Sequence, residues 1–277
     1  RELYGKLPDD GNNVHLSANM CPEHRSAAIG QIRERLKSRQ QGNFRALRVV
    51  STQLIEAGVD VDFPVVYRAM AGLDSIAQSA GRCNREKRLS GMGVVKVFLA
   101  EQSAPPGFLR QGEQTTLSLL RAGLLGDPLS PESIKLYFAE LNRKGSRDEH
   151  DICALLRAEQ TPDPAFDISF RRAAEKFRLI DDNGIGVIAP YCPENSDESP
   201  VHRWLTQLEQ DPSARWLHRK LQRFSVTLPE SFAAHLHNSG ALYLKAGKLV
   251  VETSQYHDVW GIQPPDSLMT AEESIIG

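Results

Sequence analysis

Along the first hundred residues, short apolar runs alternate with stretches whose apolar positions repeat at helical spacing. Val14–Ser17 reads as a strand. From Pro22 to Leu36 the pattern turns helical: a proline stands near the first turn, and Ile29, Ile32 and Leu36 fall on one face. Leu47–Ser51 is apolar on successive positions, the mark of a strand buried on both faces. Val65–Tyr67, entered through Pro64, and Val94–Leu99, after Gly91-Met92-Gly93, repeat that style, and Leu73–Cys83 between them has a helical cast. Strands alternating with helices predict an α/β fold with a parallel sheet covered on both faces.

The pattern changes after Pro105-Pro106-Gly107. Gln111–Leu125, Ser130–Leu141 and Asp148–Arg157 read as helices, with Ser130 as N-cap ahead of Pro131. Ile134, Tyr137, Phe138 and Leu141 form a stripe that packs against the rest of the protein. Thr161-Pro162-Asp163-Pro164 reads as a linker, Phe170–Phe177 as a short basic helix and Pro193–Pro200 as a loop. Leu221–Leu228 and Leu242–Val251 read as strands, the second turning at Ala246-Gly247-Lys248. The predicted organisation is an α/β domain over 1–107, a helical linker over 108–165 and a small mixed α/β C-terminal domain over 166–277. Arg1 in place of methionine makes the chain read as part of something longer.

Composition narrows the class. Hydrophobic content of 40% and charged content of 25% are those of a soluble globular protein. No apolar run approaches the roughly 20 residues that span a bilayer, and Arg1–Asp10 has no signal-peptide pattern, so a cytoplasmic setting without a membrane partner is expected. Cys21, Cys83, Cys153 and Cys192 form no C-x-x-C pair; they read as reduced thiols, with no metal site expected. A net charge of −2 argues against a globally basic nucleic-acid binder. The charge is nevertheless uneven. Arg33, Arg35, Lys37, Arg39, Arg45 and Arg48 face only Glu34, and Arg82, Arg85, Lys87, Arg88 and Lys96 face only Glu86. Such a cluster is either a phosphate-facing surface or a solvated helix face.

Two segments carry the chemistry. S-T-Q-L-I-E-A-G-V-D-V-D (Ser51–Asp62) follows a strand, and Q-S-A-G-R-C-N-R (Gln78–Arg85) falls within the expected helix. Ser51 and Thr52 would present hydroxyls and amides at the carboxyl edge of a sheet, where open α/β folds bind ligands. Gly58 lets the backbone turn or approach a partner closely. Asp60 offers a carboxylate suited to a ribose hydroxyl or to an arginine. Arg82 and Arg85, three apart, would share one helical side, and two guanidinium forks there suit the charge on a transferring phosphoryl group.

In this order and spacing the segments resemble motifs V and VI of the superfamily-two helicases, the second being Q-x-x-G-R-x-x-R. H-L-S-A-N-M-C-P-E-H-R (His15–Arg25), L-I-E-A-G-V-D-V-D-F-P (Leu54–Pro64) and A-G-R-C-N-R-E (Ala80–Glu86) are similar to the CRISPR-associated helicase-nuclease of type I interference systems. Cys83-Asn84 is the telling detail, because most helicases of the superfamily carry a small residue and glycine there. F-R-L-I-D-D (Phe177–Asp182) and L-Q-R-F-S-V (Leu221–Val226) are also similar, and the overall style resembles the type I-C subgroup. Lys87 departs from the family, where glycine often follows R-E, and is expected to alter the turn.

The resemblance implies a second RecA-like lobe with helices on both faces of its sheet, followed by the C-terminal domain. It implies Arg82 and Arg85 as arginine fingers, Gln78 as a nucleotide-sensing residue, and Gly58 and Asp60 lining the interlobe cleft. Ser51, Thr52 and Arg25 would contact nucleic acid. ATP and Mg2+ would be held mainly by a first lobe, since this sequence has no G-x-x-x-x-G-K-[ST] loop. Partners implied are single-stranded DNA, a crRNA-guided surveillance complex, and the N-terminal helicase and nuclease parts. Arg171–Arg178 and Arg215–Arg223 are candidates for the C-terminal docking surface. A catalytically inert binding module and an RNA helicase lobe remain alternatives. Asp148-Glu149-His150-Asp151 lacks the apolar strand that should precede a magnesium-binding box, and capping by Asp148 explains its acids. His235 and His237 form a metal pair only if their side chains alternate as on a strand; core or surface histidines are the simpler reading.

Overall fold

The computed structural model describes residues 2–40, 45–56, 59–144, 151–156, 169–177, 184–194 and 196–263. The chain divides into two compact units, one made of Arg1–Glu113 with Gly184–Gly277 and the other of Gln114–Asn183.

The first segment of the larger unit holds α1 (Glu2–Gly5), β1 (Asn13–Leu16), α2 (Pro22–Gln40), β2 (Arg48–Ser51), β3 (Val65–Ala69), α3 (Leu73–Ala80) and β4 (Val94–Phe98). The class is α/β, but among the described residues no continuous RecA-like sheet forms: β1 pairs with β2 and β3 with β4, each a separate parallel pair. The expected helical stripe is present. Ile32 is fully buried, flanked by Ile29 and Leu36, against Val14 and Leu16 of β1. Val59 and Val61 complete this core, whereas Asp60 between them is exposed, so V-D-V-D alternates inward and outward as extended chain must.

The strands are less covered than their apolar runs predict. Val65, Tyr67, Val94 and Phe98 are exposed on one face of the β3–β4 pair, where Lys96 lies 5.6 Å from the Tyr67 ring. Three members of the first basic cluster are used internally. Arg33 donates to the Asp60 carbonyl (3.0 Å), Arg35 to the Ala46 carbonyl (2.9 Å), and Arg48 pairs with Asp10 (3.0 Å).

α4 (Phe108–Arg121) leads into the smaller unit, which holds α5 (Pro131–Lys144), α6 (Ile152–Leu155) and α7 (Phe170–Lys176). Ser130 caps α5 as expected, its hydroxyl accepting from the Ser133 amide at 3.2 Å. Tyr137 and Leu141 of the predicted stripe are buried, while Phe138 is exposed. The Asp148-Glu149-His150 acids, the Thr161–Pro164 linker and most of Phe177–Asp182 lie outside the described residues.

The second segment of the larger unit contains β5 (Ile185–Ile188), α8 (Val201–Gln210), α9 (Arg215–Gln222), β6 (Ser225–Leu228), α10 (Glu230–Asn238), β7 (Leu242–Lys245), β8 (Lys248–Val251), β9 (Tyr256–His257) and β10 (Gly261–Ile262). Its mixed sheet has the order β6-β5-β8-β7. Ala246 and Gly247 both take positive φ (50° and 68°), the geometry a tight two-residue hairpin needs. Only the second half of the expected strand over Leu221–Leu228 is extended, since Leu221 and Gln222 close α9 and a turn follows. Ala214, Leu217 and Leu221 are buried at helical spacing in and beside α9, and extended chain begins only at Ser225. His235 and His237 lie on α10 and not on a strand; two positions apart on a helix they diverge, which removes the metal pair.

A strap over 256–262 ties the two segments together. Ile262 donates its amide to the Asn19 carbonyl (2.9 Å), and Ser17 its hydroxyl to the Trp260 carbonyl (3.3 Å). The Tyr256 hydroxyl accepts from the Cys21 amide (3.2 Å) and lies 2.9 Å from His24 Nδ1. His24 is stacked on Tyr191 at 4.4 Å, and Cys21 is fully buried in the C-terminal core. Burial lowers the His24 pKa, against a smaller opposing effect of Asp258, and pushes that of Tyr191 up to about 12.

Two outcomes follow from the strap. Gly261 has φ +75°, and an added Cβ would lie 2.2 Å from the Asn19 carbonyl oxygen, so Gly261→Ala lowers stability by about 2 kcal/mol or more, read from urea unfolding midpoints. His24 has a folded pKa below its ordinary 6.5, so the unfolded chain binds the proton first as pH falls. Stability therefore declines from about pH 6.5 downward, and levels off below the folded pKa. His24→Gln flattens that decline, and an unchanged profile would refute the assignment.

Candidate functional site

Glu56, just past the 3-10 turn Gln53–Ile55, is the hub of the two chemistry-bearing segments. Its carboxylate accepts from Ser75 Oγ (2.8 Å) and Ser79 Oγ (3.3 Å), one turn apart on the buried side of α3. It also faces Arg68 Nη2 of β3 at 3.0 Å. Glu56 and Arg68 keep only 9% and 19% side-chain exposure. The Arg68 Nε is buried without a partner, so the pair is the arginine's principal compensation.

Around this hub the second segment folds onto the first. Arg82 Nη2 donates to the Glu56 carbonyl at 2.7 Å. Phe63 and Cys83 are bridged in parallel: the Phe63 amide donates to the Arg82 carbonyl and the Asn84 amide to the Phe63 carbonyl, both at 2.9 Å. Asp62 Oδ1 accepts the Arg85 amide at 2.7 Å, and Asp60 pairs with the Arg85 guanidinium at 2.8 Å. Asp60 thus partners an arginine, one of the two roles its position suggests.

Arg82 and Arg85 do not share a helical face. α3 ends at Ala80 with Gly81 as its cap, and both arginines lie in the loop beyond. The helix stops because the chain must turn to bridge with Phe63, and Asn84 (φ 48°) takes the left-handed conformation that the turn requires. Asn84 Nδ2 then donates to the Gly91 carbonyl (2.9 Å), and its Oδ1 accepts the Leu89 amide (3.1 Å). Gly93 admits this loop, since a Cβ there would lie 2.6 Å from Cys83 Sγ. Lys87 also has positive φ (53°), a conformation in which glycine is unstrained.

Of the remaining predicted residues, Ser51 ends β2 opposite Leu16, and Thr52 is exposed with its amide donating to the Leu16 carbonyl (3.3 Å). Arg25 lies in the first turns of α2, half-buried, and Gln78 is exposed on α3. Gly58 lies outside the described residues. The structure therefore brings Asp60 and Arg85 into contact, and Arg82 onto the segment after Thr52, whereas among the described residues no side-chain hydrogen bond or ion pair joins Gln78 or Arg25 to the others. Glu56, Asp62 and Arg68 were missed by sequence reasoning. Only the position of Glu56 and Asp62 within the quoted L-I-E-A-G-V-D-V-D run could have marked them. A cleft of about 460 Å³ lined by Tyr4, His15, His24, Tyr191 and Asp258, among others, borders none of the predicted residues.

Residues 1–88, which contain this whole arrangement up to Arg88, match the family described as CRISPR-associated nuclease/helicase Cas3, C-terminal. Over these residues the chain is similar to the Cas3 C-terminal family. Among curated relatives, the Cas3 nuclease/helicase of Methanothermobacter thermautotrophicus is 34% identical over 86 residues, 31% of this chain and 10% of that protein. The Cas3 of Haloferax volcanii is 62% identical over 62 residues, 21% of this chain and 7% of its own length. The crystal structure of T. fusca Cas3 shares the fold with a TM-score of 0.50 and 19% identity, over 84% of this chain and 30% of that one. The chain thus spans a tenth or less of the curated Cas3 proteins in these matches. Among the described residues, no helix is long and apolar enough to cross a membrane.

The two ion pairs of the Cas3-like region differ in burial, and their removal should differ accordingly. Glu56→Ala leaves the half-buried Arg68 without its counter-charge and costs about 2 kcal/mol or more, whereas Asp60→Ala, which breaks an exposed pair, costs about 1 kcal/mol or less. Urea unfolding of both variants checks the ranking; equal losses would refute it.

Proposed function

We propose that this chain supplies the second motor lobe and C-terminal domain of an ATP-dependent single-strand DNA translocase of the Cas3 helicase-nuclease kind. Residues 1–107 form the lobe, and a first lobe on another part of the protein holds ATP and Mg2+. A crRNA-guided surveillance complex marks the DNA on which the whole enzyme acts, in a cytoplasmic setting.

One observation carries this reading: Arg85 is held in place by an ion pair that solvent still reaches. Side-chain exposure is 46% for Arg85 and 67% for Asp60, so their attraction is weak, about 1 kcal/mol or less. A guanidinium–phosphate contact is charge-assisted and can be bidentate, so a phosphoryl group brought by another lobe competes effectively for Arg85. Arg82 keeps part of its fork engaged with the Glu56 carbonyl and so remains aimed while Arg85 changes partner. The donors fit an anion. Magnesium is assigned to the first lobe in this scheme.

Exchange of Asp60 for phosphate occurs only when the lobes close, which couples hydrolysis to lobe movement. Gln78, exposed on the same α3 that precedes the arginines, senses the nucleotide. Ser51, Thr52 and Arg25 face the DNA strand, so closure is converted into a step along it. Such an arginine is worth roughly 10³–10⁵ in rate.

In the complete enzyme, Arg82→Ala and Arg85→Ala each abolish DNA-dependent ATP hydrolysis while ATP binding, followed by equilibrium dialysis, is retained. Turnover persisting in both variants would overturn the assignment. Mixing this chain with a first-lobe polypeptide separates the motor from an inert binding module: recovery of DNA-stimulated ATPase supports the motor. Stimulation by RNA in preference to DNA would favour an RNA helicase instead.

A further inference from the structure

α9 presents a basic and aromatic face to solvent. Ala214, Leu217 and Leu221 are buried, which turns Arg215, Trp216, Arg219 and Lys220 outward along one stripe. Trp216 keeps 52% of its surface exposed. Lys220 Nζ lies 5.0 Å from the Trp216 ring and 5.1 Å from that of Trp204 on α8, so an ammonium is lodged between two indoles. Trp204 is fixed from behind by an edge-on contact with Phe224 at 5.4 Å.

Charge on this face is one-sided. From Val201 to Arg223 there are Arg203, Arg215, Arg219, Lys220 and Arg223 against Glu209 and Asp211. Arg223 is taken up by Glu23 at 2.7 Å, and Asp211 is bound to the Ser213 hydroxyl at 2.7 Å. Arg215 and Arg219 have no ion-pair partner among the described residues. Arg219 and Lys220 could serve the helix itself, because they occupy its last turn, where cations offset the macrodipole. Arg215 cannot be explained so: it stands in the first turn, where a cation opposes the dipole, and no acid accompanies it there.

We infer that the exposed face of α9 is a stacking platform for single-stranded nucleic acid. A base stacks on the open side of Trp216, and Arg215 and Arg219 contact the flanking phosphates. An aromatic plane interleaved with guanidinium groups recognises unpaired bases without regard to sequence, since every base has a π face and every nucleotide a phosphate. An acidic protein surface would use the same charges, but leaves no role for a solvent-facing indole braced by a cation. The inference takes only its class of polymer from the proposed function, and ATP turnover does not enter its test.

The test is anisotropy of a fluorescein-labelled oligothymidylate titrated with the 277-residue chain at several salt concentrations. Trp216→Ala weakens binding on the order of ten-fold, and Trp216→Phe restores most of it. Arg215→Glu with Arg219→Glu lowers the salt slope by about 1.4, two single-strand phosphate contacts at about 0.7 each. Both variants alter exposed side chains, and circular dichroism confirms their fold; should Trp216→Ala fail to fold, the charge variant carries the test alone. Unchanged affinity and slope, or no binding by the parent chain, overturns the platform. So does a loss confined to an acidic polyglutamate probe, which would assign the face to protein. Failure of the arginine fingers would appear as retained ATPase in the Arg82 and Arg85 variants and would leave these affinities untouched.

Discussion

Arg68 is drawn out of water on β3, and the geometry of the Cas3-like region is what surrounds that buried charge. A guanidinium with 19% of its side chain exposed is tolerated only with a counter-charge and hydrogen bonds at close range. Glu56 supplies the first, and Ser75 the second, accepting from Arg68 Nη2 at 2.8 Å while donating to Glu56 at 2.8 Å. Because Glu56, Arg68 and the two serines come from three separate stretches, satisfying one charge fixes the turn after Thr52, the strand β3 and the helix α3 against one another. The backbone carbonyl of Glu56, held by that same constraint, is where Arg82 is anchored.

The contrast with Asp60 and Arg85 is a difference of solvent access more than of distance, 3.0 Å against 2.8 Å. A pair in low dielectric resists disruption, because either ion left alone has no water to turn to; a pair at the surface exchanges partners at little cost. The loop is thereby stiff where it is built and labile where it faces outward. Asp62 adds to the stiffness without adding charge contact, since it accepts the backbone amide of Arg85 and leaves that side chain to move. An arginine that must meet a ligand arriving from elsewhere is served by this division of labour.

Much of this was legible in the sequence, unevenly. Helix α2 and strands β1 and β2 follow from periodicity because Ile32, Val14 and Leu16 are placed by simple burial. The end of α3 was not legible. Helical spacing continues through Arg82 and Arg85, and the helix stops earlier because the chain pairs with Phe63, a contact some 20 residues away that no local pattern encodes. For Cys83-Asn84 the structure supplies the physics: asparagine takes the left-handed region at φ 48°, then closes the loop with its own side-chain amide. Glu56 looked like one more polar residue in an apolar run, for a buried carboxylate is distinguished by partners distant in sequence. In the C-terminal segment α8, α9 and α10 were missed, each ten residues or shorter with a polar outer side, so their periodic signal spans little more than two turns.

The strap over 256–262 shows why the last segment cannot be treated as an appendage to the motifs. It grips Ser17, Asn19, Cys21 and His24, a stretch beginning one residue past Leu16, and the Leu16 carbonyl accepts the Thr52 amide. Any displacement of the strap is therefore felt at the end of β1 and, through one hydrogen bond, at the residue proposed to face DNA. The contact is also intolerant of looseness: Gly261 lies so close to Asn19 that the two backbones move together or collide. The proposed transmission of motion from a motor lobe to a C-terminal domain would need a joint of this kind, short, backbone to backbone and braced by the rings of His24, Tyr191 and Tyr256, because long side chains would absorb the displacement in their rotamers before passing it on.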